Sequence, residues 1–266
     1  MPDTGYITFF SNKKKVVLNI STILYVMMNG NIAEIHVAGG TVYKARMTFS
    51  ELEKDIGSSF IKIHRGGLVS AKAIHEITDR ICLNNGEMLV YTTRKKAQIL
   101  EQFHSIQKRL INSFSHAGIP ESFEEYKAYF SSFEKMPFAF TDIELIFNDK
   151  IQAVNWIFRY GNQALADLER VPLERLIGHA FGSVFPNMDS KWLRAYERAT
   201  LYGETLEIID YSPEIDTYLK VICFPTFTGH CGCILFNIAD IKFTKNSSDA
   251  EKALMLYFGM PPGEHS

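Results

Sequence analysis

The stretch from Phe60 to Ile77, F-I-K-I-H-R-G-G-L-V-S-A-K-A-I-H-E-I, constrains this chain most. Phe60, Ile61 and Ile63 are apolar, and Lys62 and His64 interrupt them, which is the alternation of a half-buried strand. Arg65, Gly66 and Gly67 then make a turn, and Leu68, Val69, Ala73, Ile74 and Ile77 resume the apolar run. Glycine permits positive φ and close backbone approach. An arginine fixed there by a strand projects into open space, and its five-donor fork suits a phosphate or a base edge.

The residues before this stretch read as strands. Tyr6 to Phe10 and the V-V-L-N-I run flank Lys13, Lys14 and Lys15, predicting a hairpin with a basic tip. Those three lysines are either a solvated turn or phosphate contacts. Ile23 to Met28 is apolar throughout and too short for a helix, so it reads as a buried strand. Asn29-Gly30-Asn31 turns the chain, Ile32 to Val37 alternates, and Thr41 to Met47 carries Lys44 and Arg46 on one face. Ser50 is placed to cap a short helix with Glu53 as its capping-box partner, and Gly57 to end it. Beyond the central stretch, Arg80 to Leu83 and Glu87 to Thr92 flank the turn Asn84-Asn85-Gly86. The first domain is therefore mostly β, with neither a helix-turn-helix nor zinc-finger spacing.

Thr93-Arg94-Lys95-Lys96 opens the next helix, with Thr93 as its cap. Cations in a first turn oppose the helix dipole, and a bound phosphate would relieve the repulsion. The helix extends to about Ser115, with Ile99, Phe103, Ile106 and Leu110 in a stripe that Leu100, Ile111 and Phe114 widen. Two heptads fall short of a coiled coil. The stripe packs on its own domain or forms a dimer seam. Gly118 and Pro120 end it.

Net charge separates the two halves. Residues 1–100 hold 13 Lys and Arg against 8 Asp and Glu, whereas residues 101–266 hold 15 against 22. A polyanion would be drawn to the first half and repelled by the second. The N-terminus has no basic segment followed by an apolar core, and no apolar run nears the ~20 residues of a membrane span. Cys82, Cys223, Cys231 and Cys233 do not form an extracellular disulfide framework, so a reducing cytoplasmic location is expected.

The second half alternates strands and helices. An amphipathic helix is expected near Glu121 to Lys135, then M-P-F-A-F-T-D-I-E-L-I-F-N-D and the strand Ala153 to Tyr160. Asn162 is placed to cap a helix from Gln163 to Glu169. Another helix covers Lys191 to Tyr202, and strands follow at Leu206 to Tyr211, Tyr218 to Phe224 and Cys231 to Ile238. This is a small α+β domain. Cys231 and Cys233 share a strand face, while His230 points the other way. Two thiolates do not complete a tetrahedral metal site, so the cysteines read as core thiols and no metal is expected. After Phe243 the chain is polar, with an amphipathic segment at Glu251 to Phe258.

Four segments of the first half, in order over about one hundred residues, resemble the LytTR family of DNA-binding domains. F-I-K-I-H-R-G-G-L-V-S-A-K-A-I fits its F-I-R-x-H-R-S-x-x-V-N-x-x-x-I pattern. I-L-Y-V-M-M-N-G-N-I-A-E-I-H at Ile23 to His36 is similar to its I-x-Y-I-E-A-x-G-N-Y-V-x-I-H. F-S-E-L-E-K at Phe49 to Lys54 and Y-T-T-R-K-K at Tyr91 to Lys96 match its helix and closing segments. The resemblance implies a compact β fold that inserts loops into successive major grooves. It carries base or backbone contact onto Arg65 and Arg94, and sends the loop of Asn31 into DNA. Lys95, Lys96, Lys62 and Lys13 to Lys15 are candidate phosphate contacts. His64 fits the family histidine, with packing at the strand end as its other role. Ile32 stands where the family often has a polar or aromatic residue, which leaves that loop's base contact open. Gly66-Gly67 stands where it has Ser-Tyr or Ser-Phe, which removes a hydroxyl contact.

M-P-F-A-F, Y-G-N-Q-A-L and P-L-E-R-L-I-G-H-A-F resemble the PAS fold, from about Phe133 to Ile241. That implies a sensor or dimerisation module whose five-stranded antiparallel sheet holds a small ligand on its inner face. Trp156, Phe158, Cys223 and Phe224 are the expected pocket lining. Ile177 to Val184 lacks the cysteine of flavin photoreceptors, and His179 is expected to be exposed, so neither flavin nor haem is expected and no cofactor is named.

The expected organisation is a LytTR-like domain at 1–97, a linker helix at 98–120, a PAS-like domain at 121–243 and a tail with a short helix at 244–266. The expected function is transcriptional regulation on double-stranded DNA, as a homodimer, set by the PAS-like domain and not by a phospho-acceptor receiver. The alternative is a non-enzymatic interaction scaffold dimerised through the PAS-like domain. Nucleophile elbow, phosphate loop and H-E-x-x-H motifs are missing, so no enzyme is expected.

Overall fold

The computed structural model describes residues 5–113, 118–149, 151–185 and 190–240. The readings for Phe114, Ser115 and the 244–266 tail lie outside them.

The first part is built from strands β1 (Tyr6–Ser11), β2 (Lys14–Asn19), β3 (Ile23–Asn29), β4 (Ile32–Val37) and β5 (Val42–Arg46), helix α1 (Phe49–Ile56), strands β6 (Phe60–His64), β7 (Gly67–Ser70), β8 (Ile74–Ile77), β9 (Ile81–Leu83) and β10 (Met88–Leu89), and helix α2 (Lys96–Asn112). The main sheet is antiparallel in the order β5-β4-β3-β7-β6. Its two faces carry separate cores. Ile61, Ile63 and Val69 pack with Ile81, Leu83, Ile99 and Ile106. Val26, Ala33, Ile35 and Leu68 pack with Leu52 and Ile56 on the other side. Burial on both faces explains why β3 reads as a continuous apolar run. The stripe of α2 closes the first of these cores, with Phe103 and Leu110 packed against it, so it seals its own domain.

Two local readings change. Helix α1 is capped by Thr48, whose Oγ1 accepts from the Glu51 N–H at 3.3 Å while the Glu51 carboxylate accepts from the Thr48 N–H at 2.8 Å. Phe49 is already helical because its ring packs on the core, which moves the start ahead of Ser50. The expected partner Glu53 binds Lys62 instead. Glycines 66 and 67 do not take positive φ. They answer to crowding: a Cβ on Gly67 would lie 2.6 Å from the His64 ring, and one on Gly66 would lie 3.2 Å from the Met28 Cβ.

The second part holds α3 (Phe123–Tyr129), β11 (Ala139–Phe147), β12 (Ala153–Gly161), α4 (Gln163–Glu169), α5 (Leu173–Leu176), α6 (Phe181–Val184), α7 (Ser190–Tyr202), β13 (Leu206–Ser212), β14 (Thr217–Pro225) and β15 (His230–Asn237). Its antiparallel sheet has the order β12-β11-β15-β14-β13 and, with its helices, resembles the PAS fold. Asn162 is the tightest corner. Its Oδ1 accepts from the Leu165 and Phe140 N–H groups, and its Nδ2 donates to the Phe133 and Phe138 carbonyls. Helix α3 is shorter than expected and lies on the outer sheet face among Phe130, Phe140 and Tyr160.

Candidate nucleic-acid interface

Three turns meet at one end of the main sheet. Arg65 lies between β6 and β7, exposed. On one side the Met28 N–H donates to the Gly66 carbonyl at 2.7 Å, which sets the β3–β4 turn holding Gly30 and Asn31 beside it. On the other, the Thr92 N–H donates to the Ile63 carbonyl at 3.1 Å, which ties the Thr93–Lys95 turn to the end of β6. Arg65 and Arg94 are therefore each two residues from one shared hydrogen bond and occupy the same end.

His64 braces this end. Its Nδ1 accepts from the Gly66 N–H at 3.2 Å, and its ring fills the space a Gly67 side chain would need. Burial, and then the neighbouring Arg65 charge, lower its pKa, so the ring acts as a neutral acceptor. Packing is thus a role the structure shows for His64.

The leading turn of α2 is cationic and uncapped. Thr93 is not the cap expected of it, because a separate 3-10 turn, Thr93–Lys95, precedes the helix. The helix starts at Lys96 with no capping side chain and no acid in its first turn. Arg94 and Lys96 are exposed and Lys95 is half-buried. Among the described residues, no ion pair engages Arg65, Arg94, Lys95 or Lys96.

Other candidates are placed differently. Lys62 Nζ lies 3.0 Å from Glu53 and 4.2 Å from the centroid of the Phe49 ring, so its charge is already met. Lys14 and Lys15 begin β2 and Lys13 sits in the turn at φ 63°. That hairpin is fastened to the middle of β5, where the Lys44 N–H donates to Ser11 Oγ at 3.3 Å. Arg46, absent from the strongest sequence candidates, pairs with Ile32 beside Asn31 and is exposed without an ion pair among the described residues. Its two-residue offset from Lys44 was the available signal; Lys44 itself is held by Glu34 at 2.8 Å.

Residues 13–104 match the family described as the LytTr DNA-binding domain, roughly a third of the chain. This segment is a LytTR DNA-binding domain. A solved LytTr DNA-binding domain of a Bacillus cereus protein is 15% identical, covering 37% of this chain and 95% of that one, with a TM-score of 0.34. A Rhodobacter sphaeroides LOV protein is 11% identical, covering 50% of this chain and 78% of that one, also with a TM-score of 0.34. No curated protein matches the sequence.

The LytTR domain meets the C-terminal part away from Arg65. Ser70 pairs with Phe60 at the far end of β6 and β7. There, Ser70, Lys72, Phe60 and Arg109 line a cleft of about 370 Å3 with Tyr202 and Glu204. Lys72 approaches Glu204 at 3.7 Å, and Gln107 Nε2 donates to Glu197 at 3.5 Å.

In the C-terminal sheet, Trp156, Phe158 and Cys223 pack in the inner core. Phe224 does not: strand alternation turns it to the outer face, against Phe140. Cys231 Sγ lies 3.9 Å from Cys233 Sγ on the inner side, and burial pushes both thiols up, so they stay protonated. His230 faces outward, with Nδ1 2.7 Å from Asp142. No group of three or more His, Cys, Asp or Glu able to hold a metal occurs among the described residues. Nor is any described helix long and apolar enough to cross a membrane.

Proposed function

We propose that this chain is a sequence-specific, DNA-binding transcriptional regulator whose activity is set by its PAS-like domain. One observation carries the reading. Within the matched LytTR segment, three hydrogen-bonded turns present Arg65, Asn31 and Arg94 at one end, and their cations lack acidic partners among the described residues. In this reading Arg65 addresses a base edge, while Arg94, Lys96 and Arg46 address phosphates. Lys95 and Lys13 to Lys15 are secondary phosphate contacts. His64 holds the Arg65 turn in position, and Lys62 supports α1.

The same placement favours control by geometry over control by occlusion. The described C-terminal residues touch the LytTR domain near Ser70 and Lys72, away from the Arg65 end. A signal received there would change how two reading ends are set on neighbouring sites, which fits a homodimer in the cytoplasm activated by a ligand or partner. The divisions 1–97, 98–120 and 121–243 serve as the working domain boundaries.

The test is selection of bound duplexes from random DNA by the full chain, followed by salt titration on the selected site. The expected result is a steep fall of log K with log salt. Arg65→Ala should lose preference at one position of the site, and Arg94→Ala should weaken all sequences alike. Full sequence-specific binding by Arg65→Ala would end the assignment. No DNA binding even at low salt, with a stable dimer in solution, would leave an interaction scaffold.

A further inference from the structure

The inner face of the C-terminal sheet encloses a cavity of about 40 Å3. Two carboxyl groups line it: Glu169, from the end of α4, and Glu214, from the turn between β13 and β14. No Lys, Arg or His lines it among the described residues. Glu214 Oε2 accepts from Ser212 Oγ at 2.7 Å, but its Oε1 is fully enclosed and has no hydrogen-bond partner among the described residues. Glu169 is half-buried in the same wall, and Glu214 is the charge that acts on it. Trp156, Phe158, Phe181, Trp192 and Tyr196 supply an aromatic wall, and aliphatic side chains with Thr141, Ser212 and Cys233 complete it.

These groups are mismatched to one another as they stand. A carboxylate removed from water needs a cation or hydrogen-bond donors. The faces of aromatic rings are negative and repel it further. Both penalties reverse if a cation enters, since carboxylates and ring faces each attract one. The wall also selects among cations. Hard metal ions require six or more oxygen ligands, and this wall is mainly carbon. A cavity needs roughly 10–15 Å3 to hold one water, so this one takes a group of a few heavy atoms and excludes flavin and haem.

We propose that this cavity binds a small primary ammonium, from ammonium ion to ethylammonium, between Glu169 and Glu214 and against the aromatic wall. The proposal rests on reading this domain as a sensor and names the chemical class of its ligand. Burial and then Glu214 push Glu169 up to about 7, so part of the population carries a proton that the ligand would displace.

The experiment titrates the full chain with methylammonium chloride, with potassium chloride holding ionic strength constant. The chain's two tryptophans, Trp156 and Trp192, both line the cavity, so their fluorescence reports on it directly. A saturable change with methylammonium and none with potassium is expected. Glu169→Gln and Glu214→Gln should each weaken binding at least tenfold, with circular dichroism confirming the fold. Absence of saturation, or unchanged affinity in both variants, overturns the proposal. If either variant fails to fold, calorimetry on the unaltered chain decides. At pH 6.5, binding should release a proton, seen as heat that varies with the buffer's ionisation enthalpy; binding without release overturns it. DNA affinity is measured in parallel. Methylammonium binding that leaves DNA affinity unchanged sinks the sensor reading and keeps the ligand. Intact DNA binding with no methylammonium binding sinks the ligand alone.

Discussion

The Arg65 end of the LytTR domain and the inner cavity of the PAS-like domain both hold charge without a counter-charge, in opposite surroundings. Arg65, Arg94 and Lys96 keep their hydration. They cost the fold little, and their free energy appears only when a polyanion displaces its own counterions. Glu169 and Glu214 have given up hydration and, among the described residues, have gained a single hydrogen bond in return, from Ser212 to Glu214. A third site completes the contrast. Asp142, on the outer face of the same sheet, is buried too, yet it has His230 Nδ1 at 2.7 Å and a hydrogen bond from Thr226 Oγ1. Burial pushes Asp142 up and those two partners oppose it. A buried acid is therefore stabilised locally in one place and left open in another, within one domain.

The sharpest way to break that contrast is to make Asp142 resemble Glu169. His230→Leu keeps much of the volume and removes the partner. It should destabilise the C-terminal domain by about 3 kcal/mol, read as a lower urea midpoint at unchanged slope. An unchanged midpoint would mean that pairing is not what separates the two acids.

At the surface the expected sign is different. Arg65→Ala should leave the urea midpoint alone and cost about 2 kcal/mol of binding to the selected site, measured by fluorescence anisotropy. A loss of stability instead would place Arg65 in the fold and not in recognition.

The two regions were also unequally legible. The Arg65 end could be read because its parts are local: a strand alternation, a turn and a cationic helix start, each within a few residues. What the residues could not show was why Gly66 and Gly67 are glycines, since the crowding comes from His64 and Met28. Nor did they show that Lys62 is spoken for by Glu53 from α1. The five antiparallel strands of the second part and the Asn162 helix cap followed from pattern and resemblance; the strand order and the other three Asn162 hydrogen bonds did not. Phe224 cannot share the pocket with Cys223: with Cys223 facing in, alternation sends Phe224 out. The acid pair was invisible because Glu169 and Glu214 come from distant segments that only the folded sheet brings together. In sequence each resembles an ordinary exposed glutamate at a helix end or a turn.

The third prediction follows from that hidden pair. The folded pKa of Glu169, about 7, lies above its ordinary value of 4.5. The folded state thus binds more protons between those values, and stability falls as pH rises from about 4.5 through 7. Glu169→Gln removes the ionisation. The full shift corresponds to about 3 kcal/mol, but Glu169 is only half-buried and water screens part of it. At pH 8 the variant should raise unfolding free energy by roughly 1–2 kcal/mol, and at pH 4 it should change little. A gain of equal size at both pH values would trace the effect to packing.

Lys62 gives the smallest effect and the finest test of what unpaired charge means. Two cations of one domain can sit near the same DNA and contribute differently, according to what each must give up. Lys96 has no ion pair among the described residues, so Lys96→Ala should reduce the slope of log K against log salt by about one. Lys62 already lies 3.0 Å from Glu53 and above the Phe49 ring. To reach a phosphate it would have to leave both, exposing the Glu53 charge to the DNA. Lys62→Ala should therefore change the salt slope by less than about 0.3 and, as an exposed pair, stability by less than about 1 kcal/mol. A full unit of slope lost with Lys62 would show that the ion pair with Glu53 opens on binding, and that pairing in the free protein is a poor guide to which cations meet DNA.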